Sequence, residues 1–266
     1  MSLPPIPRAT PPDAPRRRVL GGLASALGLG AAACAKTSDV RAAGRFIVGS
    51  TATGVPFSFI DMRSHELTGA MVEIARAVAA EAGFAVQMQV TAFSALIPSL
   101  TARKIDIISA AMLRTPAREA VVAFSAPVYA YGGAVAVRAD DPASHSSLSQ
   151  LGGRRVGAQV GTRFVDQLAA AGVEGVKTYD NLADCLRDLR LGRLDAVFGD
   201  APIIRYYLRV TGTDRIRIDE SYRPAELEEV CLVLRKDDPD LLARVNAAIA
   251  RIRATRIAEI VGQWGL

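Results

Sequence analysis

From Arg45 to its end, the apolar residues of this chain keep changing their spacing, from the continuous or alternate pattern of a strand to the three-and-four pattern of a helix and back. Such switching confines the chain to an α/β class, because helices that alternate with short buried strands cover both faces of a mostly parallel sheet. "RFIVGS" (45–50) reads as a strand. "GAMVEIARAVAAEAG" (69–83) reads as a helix with Met71, Ile74, Ala75 and Val78 on one face and Gly83 as its stop. "AVQMQV" (85–90) is a second strand, "SALIPSLTARK" (94–104) a short helix and "IDIISA" (105–110) a third strand.

A second series follows "GGAVAVRADD" (132–141) and the polar stretch "ASHSSLSQLGG" (143–153). It runs through strands at "RRVGAQ" (154–159), "VKTY" (176–179) and "LDAVFGD" (194–200), with helices at "TRFVDQLAAAG" (162–172), "NLADCLRDLRLG" (181–192) and "APIIRYYLRV" (201–210). The 181–192 helix has Asn181 as its expected N-cap, Leu182, Cys185, Leu186 and Leu189 facing inward, and Gly192 as its stop. The chain then returns through a strand, "EVCLVL" (229–234), a long helix opened by Asp238 and Pro239, and a closing helix that carries Trp264, the single tryptophan. With 266 residues, half of them hydrophobic, the chain can bury two lobes of ordinary size.

The first 34 residues follow a different rule. Arg16, Arg17 and Arg18 precede an uncharged run from Val19 to Ala33, and small residues surround Cys34, which is the layout of an export signal. The run is shorter than the roughly twenty residues a membrane-spanning helix needs. The order Arg16, Arg17, Arg18, Val19, Leu20 resembles a twin-arginine signal. "GAAAC" resembles a lipoprotein cleavage box with Cys34 as the lipidated residue. Ala31 stands where that box prefers leucine, so simple cleavage near Ala33 or Ala35 is the competing outcome. "GLGAAA" (28–33) matches a dinucleotide-fold pattern but lies inside this signal with no strand before it.

Without residues 1–34 the chain loses four arginines and one aspartate, and its net charge falls from +5 to +2. That mild value gives no support to a nucleic-acid role, which calls for a strongly basic protein face. Cys185 and Cys231 read as two buried free thiols. No G-x-S-x-G elbow, P-loop or H-E-x-x-H is present, and His65 and His145 lie in polar stretches that read as surface loops. Neither a metal nor a cofactor is expected.

What the chain does offer is polar groups at the carboxyl ends of strands, where open α/β sheets bind ligands. Arg118, in the "RTPAR" turn, follows one strand; Gly161 and Thr162 follow another and open a helix whose N–H groups attract an anion; Asp200 follows a third. Taken singly, Arg118 reads first as a solvated loop residue and Asp200 as a helix cap, and Thr162 could be just a loop residue at a helix start. Brought together, they match a carboxylate and an ammonium.

The order and spacing of "VPFSF", "ELTGAMVEIARAVAAEAG", "TAFSALIPSLTARKIDIISAAMLRTPAR", "VAFSAPVY", "LGGRRVGAQVGT" and "GRLDAVFGDAP" resemble the bacterial solute-binding proteins of family 3, which deliver amino acids to ATP-driven (ABC) importers. The resemblance runs from about Arg45 to Trp264. It implies a periplasmic-binding-protein-like type II fold, two α/β lobes with mixed, mainly parallel sheets joined by two crossover strands. After the signal (1–34) and a linker (35–44), the first lobe would hold 45–131 and 231–266, and the second 132–230. The resemblance also implies a periplasmic location, a membrane permease as partner and an amino acid or related small carboxylate as ligand.

Carried over residue by residue, it implies that Arg118 clamps the α-carboxylate with backbone N–H groups of Thr162 and Arg163, beside Gly161. Asp200 and the Ala111 carbonyl would hold the α-ammonium, Phe93 would wall the side-chain pocket and Gln159 would face it. Two positions depart from the pattern. Leu113 replaces a commonly hydroxylated residue, and Gly54 replaces a covering aromatic ring, whose place Phe57 or Phe59 would fill. Both departures make the site less polar, which points away from the commonest polar amino acids. Exported dehydratases acting on arogenate or prephenate resemble the same family throughout and are the alternative reading; a detached sensor module is a third.

Overall fold

The computed structural model describes residues 44–266 apart from Thr213. The expected export signal with Cys34, and the linker up to its last residue, lie outside the described residues. In chain order there are β1 (Arg45–Ser50), β2 (Thr53–Gly54), β3 (Ser58–Ile60), β4 (Leu67–Thr68), α1 (Ala70–Glu81), β5 (Ala85–Val90), α2 (Leu96–Thr101), β6 (Ile107–Ile108), α3 (Pro116–Glu119) and β7 (Ala123–Tyr131). There follow β8 (Gly133–Arg138), β9 (Val156–Gln159), α4 (Arg163–Ala170), β10 (Lys177–Tyr179), α5 (Leu182–Arg190), β11 (Ala196–Asp200), α6 (Ala201–Thr211), β12 (Ile216–Ile218), β13 (Glu228–Leu234), α7 (Pro239–Ile252) and α8 (Ala258–Gln263).

Two five-stranded sheets share one plan. The first has the order β5-β1-β6-β13-β7 and the second β10-β9-β11-β8-β12, beside a small β2-β3-β4 sheet. In each large sheet three neighbouring strands are parallel, one strand runs against them, and the outer strand is antiparallel to that one. Four of five strands therefore point the same way, so both sheets are mixed and mainly parallel. The chain crosses from the first sheet to the second where β7 gives way to β8 at Gly132, and it returns on β13, which pairs Glu228 with Tyr131. Gly132 is required at that crossing: a Cβ there would sit 2.5 Å from the Pro224 side chain.

Local signals place the helices. On α1, Met71, Ile74, Ala75 and Val78 are all buried, as the spacing predicts, and each large side chain so buried contributes about 1.5–3 kcal/mol. Asn181 caps α5 by accepting the Asp184 N–H at 2.9 Å, and Leu182, Cys185, Leu186 and Leu189 turn inward. Cys185 and Cys231 are buried free thiols, and burial pushes the Cys231 thiol up to about 11. One strand is shorter than its sequence suggests: of "IDIISA" only Ile107 and Ile108 pair as β6.

His145 requires a correction. Its polar surroundings suggest a surface loop, but the side chain is 2% exposed and its Nδ1 lies 2.7 Å from Asp219 Oδ2, whose residue is 1% exposed. The same oxygen accepts the His145 N–H at 2.7 Å, so one carboxylate holds both ring and backbone. His65 is exposed, as expected. Among the described residues no helix is long and apolar enough to cross a membrane.

Candidate ligand site

The short helix α3 exists to place Arg118. Thr115 caps it by accepting the Arg118 N–H at 3.3 Å, and Pro116 supplies a first-turn position that needs no N–H. Held there, the Arg118 guanidinium donates from Nη1 to the Leu113 carbonyl at 2.6 Å and from Nη2 to the Gly161 carbonyl at 3.0 Å. Its plane also lies over the Phe93 ring, 5.8 Å from the centroid. Two carbonyls take only part of its capacity of five N–H donors. Burial lowers its pKa, opposed by the carboxylate charges of Asp166 and Asp200.

The Arg118–Gly161 bond spans the two sheets, since Arg118 follows β6 and Gly161 lies between β9 and α4. Gly161 has φ +76°, and a Cβ there would come within 3.0 Å of the Ser94 Cα on the opposite side. Thr162 is the N-cap residue of α4, and its hydroxyl donates back to the Gln159 carbonyl at 2.7 Å. The Arg163 side chain turns away to Glu228, at 2.5 Å, leaving its backbone at the start of the helix.

Between the sheets lies a cavity. Thr51, Thr53, Gly54, Phe57, Phe93, Ala110 and Ala111 wall it on the side of the first sheet, and Gln159, Thr162, Asp200 and Ile203 on the side of the second. Asp200 ends β11 and precedes α6, yet its carboxylate forms no cap on that helix. Instead Oδ1 accepts the Tyr131 hydroxyl, which also lies 3.3 Å from the Ala111 carbonyl. Burial raises the Asp200 pKa to about 6, and the Tyr131 hydrogen bond and the Arg118 charge pull the other way. Ala111 itself is held at φ +51°, which aims its carbonyl into this cluster.

The structure thus brings together Arg118, Gly161, Thr162, Asp200, Ala111, Phe93, Gln159, Gly54 and Phe57. Leu113 is a correction: its side chain is 3% exposed in the core, fixed by a bridge to Val230, and only its carbonyl reaches the site. The cover opposite Gly54 comes in part from Phe57, which stacks on Tyr131 at 5.3 Å, whereas Phe59 turns to Trp264. Thr51, Ile203 and Tyr131 were not singled out by sequence. For Tyr131 the one available signal was its place beside the Gly132–Gly133 pair at the crossing. Among the described residues no group of three or more His, Cys, Asp or Glu is placed to hold a metal ion.

Against this geometry, comparison with known proteins is consistent across sequence and structure. The model of the bacterial extracellular solute-binding proteins, family 3, matches residues 46–266. The ABC transporter arginine-binding protein 1 of Escherichia coli (strain K12) is 29% identical over 257 residues, covering 94% of this chain and 98% of the relative. A mutant of ArgBP from T. maritima superposes with a TM-score of 0.78 at 27% identity, covering 86% of this chain and 98% of that one. The ancestral amino acid-binding protein AncCDT-1, a precursor of cyclohexadienyl dehydratase, gives 0.75 at 27% identity, covering 86% and 99%.

Proposed function

The chain belongs to family 3 of the bacterial extracellular solute-binding proteins, and from that membership we propose that it captures an amino acid or a related small carboxylate between two lobes and presents it to the permease of an ABC importer. The observation that carries this reading is the pairing, in one cleft between the sheets, of a guanidinium that holds only backbone carbonyls with a buried carboxylate. The free N–H groups of Arg118 and the start of α4 receive the ligand's carboxylate, in charge-assisted bonds of about 1.5–3 kcal/mol each. Asp200 and the Ala111 carbonyl receive its ammonium.

The two lobes are 45–131 with 231–266, and 132–230, supported by the separate sheets and the crossing at Gly132. Ligand contacts from both lobes favour the closed form, because only that form makes all of them. A twin-arginine export signal and lipidation at Cys34 complete the proposal. Mass spectrometry of the mature N-terminus decides between a lipidated Cys34 and cleavage near Ala33 or Ala35.

The test of the binding reading is a thermal-shift screen of the chain against the twenty amino acids and small carboxylates. A ligand that binds only the native state adds about 2.7 kcal/mol of stability at a hundred times its Kd. Arg118→Ala abolishes that shift while the unliganded protein stays folded; a variant that binds as tightly as the parent would sink the site assignment.

One observation favours a second reading, an exported dehydratase acting on arogenate or prephenate: Asp200 faces the cleft with its pKa raised by burial to about 6, towards the range of a general acid. Conversion of arogenate to phenylalanine, lost in Asp200→Asn, would establish that enzyme; no turnover leaves the binding protein.

A further inference from the structure

Eleven residues wall the cavity, and Asp200 is the single formally charged residue among them. Its neutral polar groups are mostly engaged within the protein. Thr51 Oγ1 lies 2.7 Å from Ser58 Oγ, Thr162 Oγ1 donates to the Gln159 carbonyl at 2.7 Å, and Gln159 Nε2 donates to the Asp180 carbonyl at 3.1 Å. Much of what remains is carbon, from Phe57, Phe93, Ala110 and Ile203.

We infer that the side-chain pocket of this site takes an uncharged, mainly apolar group, so that the preferred solute is an aliphatic or aromatic α-amino acid and not a cationic or acidic one. The inference rests on the binding reading above, in which Asp200 is committed to the α-ammonium and Arg118 to the α-carboxylate. With those two groups spent, a guanidinium or carboxylate tail would lose its water and meet no opposite charge, and an uncompensated buried charge is strongly disfavoured. The Thr162 hydroxyl proton and one Gln159 N–H are already committed to bonds within the protein, so a tail rich in acceptors meets few free donors. An apolar tail needs none of them, and burying its carbon surface against the two phenylalanines and Ile203 is favourable. This sets the chain apart from the relatives named for arginine.

Competition titrations of the full chain with L-leucine, L-methionine, L-phenylalanine, L-arginine and L-glutamate test it. At least one of the first three binds about a hundredfold more tightly than either of the last two. Placing a carboxylate in the pocket by Ile203→Asp then reverses the order, gaining arginine by about tenfold or more and losing the apolar ligand. Ile203 is half-buried, so Thr53→Asp, at an exposed position of the wall, serves as the variant that cannot be lost to misfolding. Arginine or glutamate binding as tightly as the best apolar amino acid overturns the inference while leaving the binding reading intact. If the amino acids fail and amine-free carboxylates bind, the ammonium role of Asp200 fails. A comparison of hexanoate with 5-guanidinopentanoate still decides the pocket, and equal affinity for the two overturns it.

Discussion

Tyr131 has one hydroxyl proton and two acceptors within reach, Asp200 Oδ1 and the Ala111 carbonyl. While Asp200 is ionised it accepts the hydrogen bond from that hydroxyl. Once Asp200 is protonated it can donate to Tyr131, whose hydroxyl is then free to turn to Ala111. With its pKa raised by burial to about 6, Asp200 is neutral below that pH and a poor partner for an ammonium. Amino-acid affinity measured calorimetrically from pH 5 to 8 therefore rises up to about pH 6 to 7 and then levels off. In Tyr131→Phe the rise moves to higher pH, because the donor that favoured the carboxylate is gone; a profile that does not move rules out this role. The same group has a stability sign. The folded state holds a proton between pH 4 and 6 that the unfolded chain, at 3.8, has already lost, so its contribution declines as pH rises through that window. Arg118 and Asp200 were legible in sequence as charged types just past apolar strands, whereas nothing in the sequence singled out Tyr131.

At the scale of elements, helices were read most securely where a cap and a buried face agree. In α5 the Asn181 cap and the leucines at 182, 186 and 189 point to one register, and the observed helix keeps it. The 139–147 connection shows the opposite case, since its polarity alone suggests a solvated loop while His145 is pinned under it by Asp219, 74 residues away. His145→Ala leaves a buried carboxylate without its ring partner. That change lowers the urea-unfolding stability by about 1–3 kcal/mol and leaves ligand affinity unaltered. Equal stability of variant and parent would mean that the pair is structurally idle. The shortness of β6, the central strand of its sheet, has a related cause. "IDIISA" has the composition of a longer strand, but only Ile107 and Ile108 pair with both β1 and β13, while Asp106 and Ser109 donate single N–H bonds to the Ile47 and Gly49 carbonyls of β1.

For the whole molecule the question is how the two sheets meet. Arg118 reaches the Gly161 carbonyl, and Gly161 approaches Ser94, so the contact across the cleft depends on a residue without a side chain. Gly161→Ala forces a Cβ against Ser94 and places an L-residue at φ +76°, at a cost of about 1–2 kcal/mol. We expect it to weaken ligand binding by about tenfold through the Ser94 contact, and to lower the melting temperature of the unliganded protein by a few degrees, about 2–4 °C per kcal/mol, through the φ strain. Small-angle scattering then shows less compaction on ligand addition than in the parent; full compaction would place the closing contact elsewhere.

Spacing and residue type alone determined the α/β class, the two series of strands and helices, the inward face of α1 and α5, and the chemistry of Arg118 and Asp200. These are local properties: a helical face or a strand end is written within a dozen neighbouring residues. Pairings across long separations were decided by the assembled fold. Tyr131 meets Asp200 across 69 positions and Arg118 meets Gly161 across 43, while Leu113 turns into the core because its strand position pairs with Val230. Which face a side chain shows to a neighbour so distant depends on strand register and on the crossing at Gly132, and neither is encoded in any short stretch of the chain.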